Sequence, residues 1–184
     1  MNRLASPAQL RASFLRWALF AVPLVLLLGY ISGVASGSSA DSEWFRQLNK
    51  PSTFPPPVTF GIVWTVLYAL MGLALAMVCA AWGARRRGAA IAMFVVQLAI
   101  NLAWSPVFFA AHQIRPALLV IVALDVAVLV TIWLFWKVRR AAALLLLPYL
   151  AWIAFATFLN WQFLQLNREV SGADVNNAVQ RFEL

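Results

Sequence analysis

The 184-residue chain is short of charge, and shortest of acid: six Asp and Glu stand against fourteen Lys and Arg. Charged residues make up 11% of it, roughly half the share in a soluble domain. Cys79 is the only cysteine, which excludes an intrachain disulfide, and His112 is the only histidine. A metal centre needs several Cys, His or carboxylate ligands brought together, and none cluster here. Hydrolytic chemistry needs an acid–base pair or an activated nucleophile, and neither arrangement is present. No basic stripe lies along a polar surface, so nucleic acid is excluded as a partner. What the chain does have is apolar: 64% hydrophobic residues, nine Trp and thirteen Phe. That balance defines an integral membrane protein whose partner is the lipid bilayer. Only helices or closed barrels satisfy their backbone in lipid, and the long apolar runs point to an all-α bundle.

Five runs are long enough to span the bilayer as helices. They cover about 17–35, 58–82, 88–111, 116–136 and 141–166, which makes 17–166 one five-helix transmembrane domain. A polar amino-terminal arm, 1–16, precedes it and a polar carboxyl tail, 167–184, follows. A cleaved signal peptide is the rival reading of the first run, because basic residues precede it and small ones follow. Gly29, Gly33 and Gly37 fall four apart there, a spacing suited to close helix packing within the chain or between two chains.

Between the first two runs, loop 36–57 carries Trp44, Arg46 and Lys50, and then Pro51, Pro55, Pro56 and Pro57, which forbid a regular helix. A stiff polar segment therefore feeds straight into a membrane helix bearing Trp64, Thr65 and Tyr68. We read this junction as the lid and one wall of a ligand cavity, with Trp44, Lys50, Pro51 and Phe54 in the lid. On the second helix, Gly61, Thr65, Tyr68, Gly72 and Ala76 form a mostly small stripe expected to pack on neighbours.

On the third helix, Gln97, Asn101, Trp104 and Phe108 share one narrow face. Amides in hydrocarbon need partners, so this face points inward, toward either another helix or a ligand. Pro106 is placed to kink that helix. Asp125 sits near the middle of the fourth helix, where a carboxylate is costly unless it faces the bundle. A hydrogen bond to a neighbouring helix or a polar cavity is the expectation, with a proton relay as the alternative. On the fifth helix Pro148 interrupts the first half, and Tyr149, Ala156 and Asn160 share a face with Trp152 and Phe155 beside it. Trp17, Trp82, Trp133 and Trp136 fall at helix ends, as an interfacial aromatic belt requires, whereas Trp64, Trp104, Trp152 and Trp161 lie deeper.

The arm and the second and fourth interhelical loops hold nine basic residues and no acid, while the other side holds five of each sign. In an inner membrane this puts the amino terminus in the cytoplasm.

Four blocks in this order resemble the TspO/MBR family, the tryptophan-rich sensory proteins. They are LNKPS with the prolines after it, FGIVWTVLYALMG, Q-x-x-x-N-x-x-W-S-P-V-F-F from Gln97, and PYLAWIAFATFLN from Pro148. The resemblance covers most of the chain from Trp44 to Asn167. It implies five helices in one bundle, often paired as a homodimer, and an outer membrane as a further location. It also implies binding of porphyrins such as haem and protoporphyrin, or of sterol-like ligands, with no required cofactor and a role in sensing, regulation or transport. Light-dependent oxidative breakdown of bound porphyrin is the alternative activity, and proton-coupled transport a further one. The cavity tryptophans of the family correspond to Trp64 and Trp152, and its alanine and asparagine to Ala156 and Asn160. Tyr68, Asn101, Trp104, Tyr149 and Phe155 complete the candidate ligand-binding set. Two departures stand out. Thr53 occupies the place of the usual lid tryptophan, and Asn160 is followed by Trp161, Gln162 and Phe163 with no basic residue before Arg168, so the family's cholesterol motif is broken.

Overall fold

The computed structural model describes residues 6–38 and 42–168. The tail from 169 onward and the first five residues of the arm lie outside these. The described residues form helices joined by turns and by the loop before Pro57, and five helices are long and apolar enough to cross a membrane. Helix α1 is Pro7–Ala35, α2 is the short Glu43–Gln47, α3 is Pro57–Cys79, and α4 is Arg87–Ser105. A π-helical segment, Pro106–Ala110, continues α4; α5 is Ile114–Val138, α6 is Arg140–Leu145 and α7 is Leu147–Leu166.

The largest departure from expectation is at the amino terminus. Much of the arm is helical, because Ser6 caps α1: its hydroxyl accepts from the Gln9 amide while the Gln9 side chain accepts from the Ser6 amide. Pro7 sits at the first helical position, where its missing N–H is harmless. Elsewhere the ends move by a few residues. The second span stops at Cys79, and Gly83 turns the chain with φ +80°. Pro106 does not simply kink the third span but shifts its register: Ala111 N donates to Pro106 O, across five residues. The fifth span breaks at Leu146, just before Pro148, and restarts as α7.

Antiparallel α1 and α3 meet closely at Gly72, where a Cβ would lie 2.6 Å from the Val22 Cα, and at Gly29, whose missing Cβ leaves room for the Tyr68 ring. Gly37 does not extend this face, since it lies beyond the end of α1 with φ +60°. Two apolar clusters fill the interior. The larger is built on Met71, Phe94, Leu124, Phe135 and Ile153. The smaller lies under the first loop and joins Phe45, Leu48, Phe108, Ile114 and Phe163. Large side chains such as Leu19, Val58, Leu119 and Leu129 remain exposed on the outside of the bundle. In water such a surface would be a liability; in lipid it is the expected outer face.

Candidate functional site

Where the two clusters meet, the helices enclose a cavity of about 720 Å³. Its side walls are aromatic: Phe60 and Trp64 from α3, Trp104 and Phe108 from the α4 region, and Trp152 and Phe163 from α7. These rings pack on one another. Trp104 stacks on Phe108 with centroids 5.1 Å apart, and Phe60 meets Trp152 edge-on at 5.7 Å. Such contacts fix ring orientation.

The polar groups are few and mostly committed. Tyr68 OH donates to Asn101 Oδ1 at 2.9 Å, joining α3 to α4. One helical turn away, Tyr149 OH donates to Gln97 Oε1 at 3.1 Å. Trp104 Nε1 donates to Asn160 Oδ1 at 3.1 Å, and Asn160 Nδ2 donates to Ile114 O at 3.0 Å. These bonds answer the requirement that amides in a membrane find partners. Among the described residues Trp152 Nε1, Gln97 Nε2 and Asp125 Oδ1 are buried without a partner, and of these three residues only Trp152 lines the cavity.

Of the residues expected to bind a ligand, Trp64, Tyr68, Asn101, Trp104, Trp152, Ala156 and Asn160 line the cavity. Tyr149 and Phe155 do not. Tyr149 is fully buried behind the Trp64 ring, edge-on at 6.3 Å, and Phe155 leans on the far side of Trp152. Among the lid residues, only Phe54 reaches the cavity, joined by Phe45, which the sequence pattern does not single out. Trp44 is turned away and stacks on the His112 ring at 4.5 Å. Lys50 sits over the Phe45 ring, and Arg46 pairs with Glu43 at 3.8 Å on the surface. Pro51 is buried but not part of the wall. Asp125 accepts a hydrogen bond from Thr157 across the α5–α7 seam at 2.7 Å, as a helix-to-helix role requires, and it lies outside the cavity wall.

The small stripe on α3 divides in two. Gly72 and Ala76 are buried in packing, but Gly61 and Thr65 are exposed on the outer surface while also lining the cavity. Tyr30 and Val34 of α1 do the same opposite them. A Cβ on Gly61 would meet no atom within 4 Å. Helices α1 and α3, tight at Gly72, therefore part toward the lid, and the cavity opens sideways between them onto the lipid-facing surface.

The lid is pinned by two links to the end of α7. The Asn49 amide donates to Asn167 Oδ1 at 2.8 Å, and Asn167 Nδ2 donates back to Asn49 O at 3.0 Å, so the side chain acts as a strand partner would. Thr53 Oγ1 donates to Gln162 Oε1 at 2.5 Å. Thr53, in the place of the usual lid tryptophan, thus fastens the lid by a hydrogen bond, and Phe54 supplies the ring above Phe163. Replacing Asn167 by alanine removes the reciprocal pair. Each bond is worth about 1 kcal/mol, so losing both is expected to raise amide exchange at Asn49 roughly thirtyfold. Hydrogen–deuterium exchange measures this, and unchanged exchange at Asn49 would show that the lid is held by other contacts.

These features define a five-span, multi-pass integral membrane protein with a ligand-sized internal cavity. The TspO/MBR family profile matches residues 21–166. The chain is 37% identical over 147 residues to the tryptophan-rich protein TspO of Chlorobaculum tepidum, covering 79% of this chain and 92% of that one. It is 38% identical over 152 residues to the tryptophan-rich sensory protein of Cereibacter sphaeroides, covering 82% and 92%. It is 39% identical over 121 residues to the translocator protein of Homo sapiens, covering 65% and 72%. The chain belongs to the TspO/MBR family. Membership supports a sensing or regulatory role at a membrane.

Proposed function

We propose that the protein binds a flat, largely apolar tetrapyrrole such as protoporphyrin or haem in the cavity, as its step in sensing, regulation or transport. The observation that carries this reading is the cavity itself. Its volume of about 720 Å³ falls within the roughly 300–1,000 Å³ of small-molecule sites, and indoles wall it on three helices. Trp64 and Trp152 offer their faces to the macrocycle, and stacking adds about 0.5–1.5 kcal/mol per contact beyond burial. The Trp152 Nε1–H, lacking an acceptor among the described residues, is available to a ligand carbonyl or carboxylate after a small ring rotation. His112 lies outside the wall, stacked on Trp44, so the reading assigns no axial iron ligand.

Titration with protoporphyrin, followed by its Soret band, tests the assignment. Trp64→Phe combined with Trp152→Phe is expected to weaken binding roughly fivefold or more, because each phenyl keeps only part of the stacking area. Equal affinity in the double variant rejects the cavity as the site. Illuminating the complex separates this reading from oxidative breakdown of the ligand: a new product spectrum supports the enzymatic alternative, and an unchanged one supports a binder. We place the amino terminus on the cytoplasmic side of an inner membrane, by the basic bias of its end of the bundle. A second copy has a surface to dock on in the exposed, small-residue face of α4 at Ala92, Ala99 and Ala103.

A further inference from the structure

At the end of the bundle opposite the lid, the described residues include eight basic side chains: Arg11 and Arg16 on α1, Arg85 and Arg86 before α4 and Arg87 at its start, and Lys137, Arg139 and Arg140 around the α5–α6 junction. The only acids among the described residues are Glu43, beside the lid, and Asp125, in the middle of α5. No described carboxylate therefore neutralises this end. Its cations are held by indoles instead. The Arg87 guanidinium lies 4.3 Å from the Trp82 ring, Arg86 lies 5.1 Å from Trp133, and Arg140 lies 5.4 Å from Trp136. A guanidinium stacked flat on an indole keeps its N–H edge free for an anion. Arg87 is fixed further, since its Nε donates to Cys79 O at 3.0 Å.

One place at this end is shaped to receive a ligand. An open groove of about 410 Å³ runs between α1 and the turn after α3, lined by Ser13, Arg16, Trp17, Phe20 and Trp82. Trp82 is 68% exposed and forms the open side of the groove, at the level of the interfacial aromatic belt. The groove has charge at its outer edge from Arg16, and the Arg87 guanidinium stacks on Trp82. Toward the membrane it continues into Phe20 and the exposed, lipid-facing Leu19 and Leu24. Charge at the edge and apolar surface below match a phospholipid, with phosphate above and acyl chain beneath. A soluble phosphate would use only the first half.

We propose that this groove binds an anionic phospholipid. The phosphate lies against Arg16, the Ser13 hydroxyl donates to it or to the headgroup, and an acyl chain runs down past Trp17 and Phe20. The remaining cations of the rim draw anionic lipid to this end of the bundle. The binding is independent of the central cavity and of what that cavity holds.

Native mass spectrometry of the full chain tests this, after detergent release from nanodiscs of mixed phosphatidylglycerol and phosphatidylcholine. Phosphatidylglycerol is expected to be retained preferentially. Each basic residue near an anionic surface contributes about fivefold to affinity, so Arg16→Gln should lower its retention about fivefold. Ser13→Asp, which puts an acid in the groove, should lower it at least as far. Arg115→Gln, an exposed change at the lid end, should leave it unchanged. Thermal melts of each variant confirm that the bundle is intact. Equal retention of the two lipids overturns the proposal, as does an Arg16→Gln value matching Arg115→Gln. Displacement of phosphatidylglycerol by millimolar inorganic phosphate would also overturn it, by showing a site for a free anion.

Discussion

Replacing Gly72 by leucine is expected to lower the thermal unfolding midpoint of the detergent-solubilised protein by several degrees. The reason is the contact it would have to displace. A Cβ at this position falls 2.6 Å from the Val22 Cα, 3.0 Å from the Val22 nitrogen and 3.1 Å from the Ala21 carbonyl oxygen. All three are backbone atoms of α1, so no rotamer change relieves the clash and the helices must separate. Two effects compete. Leaving glycine in a helix gains up to about 1 kcal/mol of propensity, whereas overpacking a tight interface typically costs about 1–3 kcal/mol and occasionally more. A clash with rigid backbone lies at the upper end of that range, so the loss wins. A net deficit of about 2 kcal/mol corresponds to a fall of roughly 4–8 °C in a chain of this size. Gly72→Ala should give a smaller fall in the same direction. A Gly72→Leu midpoint equal to the parent's would mean that α1 and α3 are not packed at this register.

Span number, helix order and inward-facing residues were legible in the sequence because lipid imposes a simple rule. Every backbone group must be satisfied locally, so apolar length reads directly as helix. The Gln97–Asn101–Trp104–Phe108 face was readable for the same reason, since amides that lack water must turn toward a partner. Helix ends were less legible. They depend on single caps, such as Ser6 with Gln9, that no hydropathy pattern shows. The site was readable by face but not by depth. Tyr149 shares a face with Ala156 and Asn160, yet it lies one layer behind the cavity wall because the Trp64 ring stands in front of it. Helical spacing gives direction from the axis and says nothing of which ring arrives first. The lid also diverges. Lys50 and Trp44 were read as lid residues over the cavity, but Lys50 is drawn to the Phe45 ring and Trp44 to His112. The fastening residues, Asn49, Thr53, Gln162 and Asn167, are uncharged amides and a hydroxyl. Their partners are more than a hundred residues away in the chain, a separation that no local pattern encodes.

The sideways opening between α1 and α3 leads to the other large expected effect, on how fast a ligand arrives. Gly61 stands in that opening with no atom within 4 Å of where its Cβ would be, and it borders the cavity. A phenylalanine there therefore has room for its ring, and the ring occupies the passage. The backbone is already helical, and the Thr65 hydroxyl bond to Gly61 O at 2.7 Å does not involve the missing side chain. Stability should hold or rise slightly, by about 0.5 kcal/mol, as glycine leaves a helix. Protoporphyrin association, followed by stopped-flow quenching of tryptophan fluorescence, should slow on the order of tenfold or more, within the span that variants of one site can show. The lid provides the opposing route and so the control. If ligand entered past the lid, loosening it with Asn167→Ala would speed association and Gly61→Phe would leave it unchanged. Entry from the bilayer requires the reverse pattern, with Gly61→Phe slow and Asn167→Ala near the parent rate. An apolar ligand already concentrated in the membrane needs only to move laterally through the gap, and the hydrogen-bonded lid can stay closed while it does.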